Sequence, residues 1–186
     1  TTISFTDPKL FEITINGNPI SIQSELKLKV KDGYIENEAA SIVNISQLSI
    51  LRKDQCVSEN QGLIIHSVVA GRGFHWQKEI SAQLPGHVII EVRDDFLFTV
   101  NEVPLEQYLI CVATSEMSAN CPDALLEAQT IAARSWVLAA SEKKHADLGL
   151  DACNDDCCQR YQGIGSRSPS AKKASLSTRG KVLIVN

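Results

Sequence analysis

Glu116 closes an apolar stripe that has little ordinary use for a carboxylate. It lies four residues after Val112 and seven after Leu109. A helix here carries it on the face of Leu105, Tyr108, Leu109, Val112 and Ala113. It also falls at the C-terminal end of that pattern. Burial and the negative pole of the helix dipole both disfavour a charged carboxylate there, and a carboxyl kept protonated near neutral pH can act as a general acid. The plainer readings are a side chain turned to solvent, or one paired with Arg134 on the next helix.

A second chemical group follows. His145, Cys153, Cys157 and Cys158 supply one nitrogen and three thiols, ligand types that zinc prefers. Half of the 6 cysteines fall within "CNDDCC", and grouped thiols usually mean a bridge or a metal. A Cys153–Cys158 disulfide, natural outside the cytoplasm, competes with a metal, and the spacing leaves both open. Cys56 and Cys111 stand apart and read as buried thiols. His66, His75 and His87 are scattered and read as core or surface residues.

The elements that must position these groups divide near residue 102. Residues 1–101 read as strands and turns: "FEITINGNPISI" alternates around Asn16-Gly17, a hairpin signal. Further runs follow at "LKLKV", "SIVNIS", "GLIIHSVV", "HVIIEV" and "FLFTV". "GRGFHWQ" lacks the context of a phosphate loop and reads as a turn with an aromatic anchor. From Pro104 the period becomes helical, with Glu106 in the first turn where the dipole favours an anion. A second helix is expected from Pro122 to about Lys144. Its expected packing face is Ala124, Leu125, Ala128, Ile131, Ala132, Ser135 and Ala139, small enough for another backbone to approach. Asp123 and Glu127 read as a solvated helix start. A cysteine-rich loop, a short helix in "SPSAKKASLSTRG" closed by Gly180, and a strand in "KVLIVN" complete the expected elements. The fold class is α+β, with a β-rich region over 1–101 and a helical core with flanking strands over 102–186.

Composition narrows the function classes. Apolar residues at 44% and charged residues at 22% suit a globular protein able to bury a core. A formal charge of −4 argues against nucleic acid or an anionic membrane as the main partner. No apolar run reaches the roughly 18 residues of a membrane span. No signal-peptide pattern is present, and "TTISFTD" reads like a trimmed start.

Three stretches carry a resemblance. "NEVPLEQYLICVATSEM", "DALLEAQTIAARSW" and "CNDDCCQRYQG" are similar, in order and interval, to the motifs of the stage II sporulation protein D family, the SpoIID/LytB domain. The similarity covers about residues 97–186. Ser118, Glu127 and Ser135 replace the family's usual proline, lysine and threonine. The resemblance implies a lytic transglycosylase acting on peptidoglycan glycan strands, preferentially those stripped of peptides. The family's catalytic glutamate matches Glu116. Its arginine matches Arg134, expected at the cleft, and Gln159 and Tyr161 match residues of its substrate-binding region. An ordinary glycosidase needs two carboxylates, whereas a transglycosylase can use the sugar's own 6-hydroxyl with a single one. No second acid stands at a recognisable spacing.

Some members hold a zinc with a His and two Cys, which match His145, Cys153 and Cys158, as a structural brace for the loop. The family pattern continues past "GKVLIVN" with an SxxxGG-type segment, so the resemblance implies a core truncated at its C-terminal end. It also implies an extracytoplasmic location, in the periplasm, the cell wall or on a membrane anchor. The alternative within the same family is a non-catalytic wall-binding protein that enhances a cell-wall amidase.

Overall fold

Asn16 and Gly17 both adopt positive φ, 52° and 79°, and join Phe11–Ile15 (β2) to Asn18–Ile20 (β3) in a two-residue hairpin. The mirror-image turn matches the right-handed strand twist, so an Asn-Gly pair is favoured. Asp32-Gly33 repeats the device between Glu25–Lys31 (β4) and Tyr34–Asn37 (β5). The other strands are Thr2–Phe5 (β1), Gln47–Arg52 (β6), Leu63–Ala70 (β7), Lys78–Leu84 (β8), His87–Arg93 (β9) and Phe96–Glu102 (β10).

The computed structural model describes residues 1–21, 24–37, 44–54, 61–118, 120–139, 144–165 and 167–184. Cys56 and the Ser41–Val43 part of the "SIVNIS" run lie outside them. The chain divides into two units: Thr1–Val68 with Glu79–Val103, and Val69–Lys78 with Pro104–Asn186.

The strands form two five-stranded sheets, in the orders β5-β4-β1-β7-β8 and β10-β9-β6-β2-β3. Period-2 alternation sends one set of side chains inward. Ile3, Leu26, Leu28 and Leu63 of the first sheet and Phe11, Ile13, Leu48, Ile50 and Ile90 of the second are almost fully buried. Phe5 of β1 meets Phe11 of β2 with ring centroids 5.5 Å apart, a contact that links the two sheets. His66 lies between Ser4 and Ser81, and His87 Nδ1 accepts from the Arg52 amide, so both have structural partners.

The helices of the second unit are Leu105–Glu116 (α1), Asp123–Ala139 (α2) and Pro169–Ser177 (α3). The Pro104 carbonyl accepts from Gln107 and Tyr108 to start α1, and the Pro122 carbonyl accepts from Leu125 and Leu126 to start α2. Ser168 caps α3 by accepting from Ala171, with Pro169 in the first turn. Ile110 and Ala113 of α1 pack against Ala171 of α3, where small side chains let the helices come close. Among the described residues, two antiparallel sheets and three α-helices make the fold α+β, as expected.

Two expectations are corrected. The buried face of α2 is Leu126, Thr130, Ala133 and Arg134, not the alanine-rich face. Ala124, Ala128, Ala132 and Ala139 are exposed, because alanine is small on either side of a helix and alone does not mark the core. A backbone does approach that side: the Leu183 amide donates to Ser135 Oγ at 2.8 Å. The second correction concerns "KVLIVN". Residues 181–184 form no strand; they are exposed and run beside α2, held also by a bond from Arg134 to the Lys181 carbonyl.

Candidate functional site

A cleft of about 440 Å³ opens in the second unit, lined by Glu116, Gln129, Ala132, Ala133, Trp136, Asp156, Cys158 and Gln159. Glu116 comes from the last residue of α1. Gln129, Ala132, Ala133 and Trp136 recur on one side of α2, and the cysteine loop supplies the remainder. Ala132, small and exposed, leaves room for a ligand there.

Glu116 is exposed, contrary to the burial that its place on the apolar stripe suggested. Helix α1 ends there, and Met117, which closes it, is extended. The Glu116 carboxylate does not float: its Oε1 accepts from the backbone N–H of Arg160 at 2.7 Å. Arg160 in turn donates from Nε to Asp156 at 3.2 Å and lays its guanidinium 4.2 Å over the Trp76 ring. Asp156 is therefore a second carboxylate on the cleft, 40 residues beyond Glu116 in sequence and invisible to any spacing rule.

Arg134 is elsewhere. Its side chain is 1% exposed and donates to both oxygens of Glu106, at 2.9 and 2.7 Å. It neither lines the cleft nor pairs with Glu116, and this corrects its expected place. The cause is the helical angle: Arg134 lies with Leu126 and Thr130, on the side of α2 that faces α1 and α3. Glu106 also accepts from Ser175 of α3 at 2.7 Å. Burial raises the Glu106 pKa, but the bonds from Arg134 and Ser175 and the charges of Arg134 and Arg179 outweigh it and hold the carboxyl below its ordinary value. Asp123 and Glu127 also reach α3, through Lys173 at 2.6 Å and Ser177 at 2.8 Å.

Gln159 and Tyr161 divide between wall and support. Gln159 lines the cleft, accepts from Tyr108 at 3.0 Å and donates to the Ala133 carbonyl at 3.2 Å. Tyr161 stacks on Tyr108, with centroids 5.3 Å apart, and is buried behind the wall instead of lining it. Burial, the nearby Cys111 and Tyr108 push the Tyr161 hydroxyl well above its usual value. Cys111 is fully buried, as expected, and burial raises its thiol to about 12. Together these residues clip the cysteine loop onto α1 and α2.

In that loop, the donor atoms of His145, Cys153, Cys157 and Cys158 all lie within 4.8 Å of one another. Cys153 and Cys157 sulfurs are 3.1 Å apart, and Cys157 Sγ is 3.6 Å from His145 Nε2. A tetrahedral ion with sulfur bonds of about 2.3 Å sets neighbouring donors about 3.8 Å apart, so the four residues fit a metal. Cys157, outside the three-residue set that the motif suggested, completes it. Burial, and next the hydrogen bond with Cys157, raise the Cys153 thiol to about 12.

Residues 94–184 match the family described as stage II sporulation protein, SpoIID. This segment belongs to the SpoIID family. It runs from the turn before β10 through α1, α2 and α3, and so contains every residue that lines the cleft and the four candidate metal ligands. An uncharacterized protein of Brachyspira hyodysenteriae is 29% identical to the chain over 99 residues, 53% of this chain. The chain spans about a quarter of the length of that relative, 27%. No solved structure matches the chain. The SpoIID match of this segment points to a cell-wall-related role. The Trp76 segment that reaches Arg160 lies before the SpoIID match, where no family motif could have drawn notice to it.

Proposed function

We propose that this protein cleaves the glycan strand of peptidoglycan as a lytic transglycosylase, on strands already freed of peptides. The observation that carries the reading is the placement of Glu116. In a segment of the SpoIID family, its carboxylate borders a 440 Å³ cleft and is oriented by the Arg160 amide. With Oε1 held, Oε2 is the oxygen left to carry a proton.

In the proposed step Glu116 gives that proton to the glycosidic oxygen as its bond to C1 breaks. The sugar's own 6-hydroxyl oxygen then bonds to C1, and its proton passes to the Glu116 carboxylate. The acid is regenerated, no water is consumed, and the product is a 1,6-anhydro sugar. Gln159 and Trp136 supply a polar and an aromatic surface for the sugar rings. Zinc, held by His145, Cys153, Cys157 and Cys158, serves as a structural brace for the loop that presents Gln159. The protein acts outside the cytoplasm, with peptidoglycan glycan and a cell-wall amidase as its partners.

The test is incubation of peptide-free glycan strands with the wild type and with Glu116→Gln, followed by mass analysis of products. Anhydro-ended fragments from wild type alone support the proposal. Reducing ends would instead make Asp156 the second carboxylate of a hydrolase. Stimulation of an amidase with no glycan product would favour the wall-binding enhancer.

A further inference from the structure

Gly71–Gln77, the "GRGFHWQ" turn, follows β7 in sequence yet belongs to the helical unit. Two contacts tie it to the loop beside Glu116. The Gly71 amide donates to Asp155 Oδ1 at 2.7 Å, and Trp76 lies 4.2 Å beneath the Arg160 guanidinium. Phe74 stacks on the Trp76 ring, with centroids 6.0 Å apart. Gly71 has φ +69°, and a Cβ there would come within 2.5 Å of the indole, so the turn is shaped around Trp76. Neither Trp76 nor Gly71 lines the cleft.

We infer that Trp76 is a positioning residue for Glu116, acting through Arg160. The inference rests on the proposed glycan cleavage. Arg160 is the point of convergence: its backbone holds Glu116, its Nε holds Asp156, and its guanidinium is held by Trp76. Without anchors, a half-buried arginine side chain samples several rotamers and leaves its residue freer to shift. A cation–π contact, with the ion pair to Asp156, limits that freedom and fixes the amide that Glu116 accepts from. The sequence separation is large, 84 residues between Trp76 and Arg160, so only the folded chain makes the connection.

The experiment compares wild type, Trp76→Leu and Trp76→Phe. Leucine keeps apolar packing without a π face, whereas phenylalanine keeps the face. The readouts are kcat and KM on peptide-free glycan strands, and hydrogen exchange at the Arg160 amide and along α2. In Trp76→Leu, kcat falls about 10- to 100-fold, the scale of a misplaced reacting group. KM stays near wild type, because Trp76 does not touch the cleft. The Arg160 amide exchanges faster while α2 stays protected, and Trp76→Phe restores both values. Wild-type kcat and wild-type exchange at Arg160 in Trp76→Leu overturn the inference. So does lost protection across α2, which would make Trp76 a residue of general stability. If wild type cuts no glycan, the proposed function fails, and the Arg160 exchange comparison alone decides the inference.

Discussion

Arg134 and Glu106 form a two-pronged ion pair: Nε donates to Oε1 at 2.9 Å and a terminal nitrogen to Oε2 at 2.7 Å. The pair joins the start of α1 to the middle of α2, and Ser175 and Thr178 bring in α3. The guanidinium is buried, whereas Glu106 retains 24% exposure. Removing the arginine strands a partly buried carboxylate and leaves the Lys181 carbonyl without this donor. Arg134→Ala should cost about 3 kcal/mol of stability. Arg134→Lys should recover only part of it, since a point charge cannot reproduce the fork. Urea unfolding of the variants measures both, and a loss within experimental error for Arg134→Ala would refute the bracing role.

The same pair sets a pH dependence. The Glu106 pKa is lower in the folded protein than its ordinary 4.5. The folded state therefore favours the charged carboxylate. The pair's contribution is fully present above the unfolded value and is lost as pH falls through the folded one. Unfolding free energies from about pH 6 to about pH 3 should drop more steeply for wild type than for Glu106→Gln. Parallel profiles would show that Glu106 is not the linked group.

Glu116→Gln should leave stability within about 0.5 kcal/mol of wild type, because the side chain is exposed. Its glycan turnover should fall by about 10² or more, the scale of a lost proton donor. A Gln variant that digests glycan at the wild-type rate would end the assignment of Glu116 as the acid.

Substrate choice gives a separate check. A peptide-bearing sacculus should be cut slowly until an amidase has removed the peptides, and rapidly afterwards. Equal initial rates on the two substrates would remove the preference for bare strands.

The thiol cluster predicts about one equivalent of zinc in purified protein. Cys153, Cys157 and Cys158 should resist alkylation until a chelator is added, and acidification should release the metal, because protons compete for sulfur. Cys111, buried and raised to about 12, should stay unreactive throughout and serves as an internal control. Cys157→Ser should weaken binding if all four donors take part. Metal-free protein with thiols released only by a reductant would establish the disulfide instead.

Local patterns determined much of this protein. Alternation and the Asn16-Gly17 pair specify strands and a hairpin, because side-chain period and turn φ are properties of neighbours in sequence. The period from Leu105 to Ala113 specifies α1, and the ordered motifs specify the SpoIID segment. His145 and the three thiols were legible as a candidate cluster, since their chemistry is rare enough to be noticed without coordinates.

What the sequence could not decide was direction. Small residues on both sides of α2 left its core face ambiguous, and packing against α1 and α3 buried Arg134 while leaving Ala128 and Ala132 open. Arg134 thereby became the partner of Glu106, not of Glu116. Asp156 reached the cleft, and Trp76 reached Arg160, through contacts whose sequence separations no local period encodes. The loss of a strand in 181–184 has the same cause: an apolar run fits a strand only where a sheet edge receives it. Beside α2 the run finds instead Ser135 and Arg134, to which it is hydrogen-bonded.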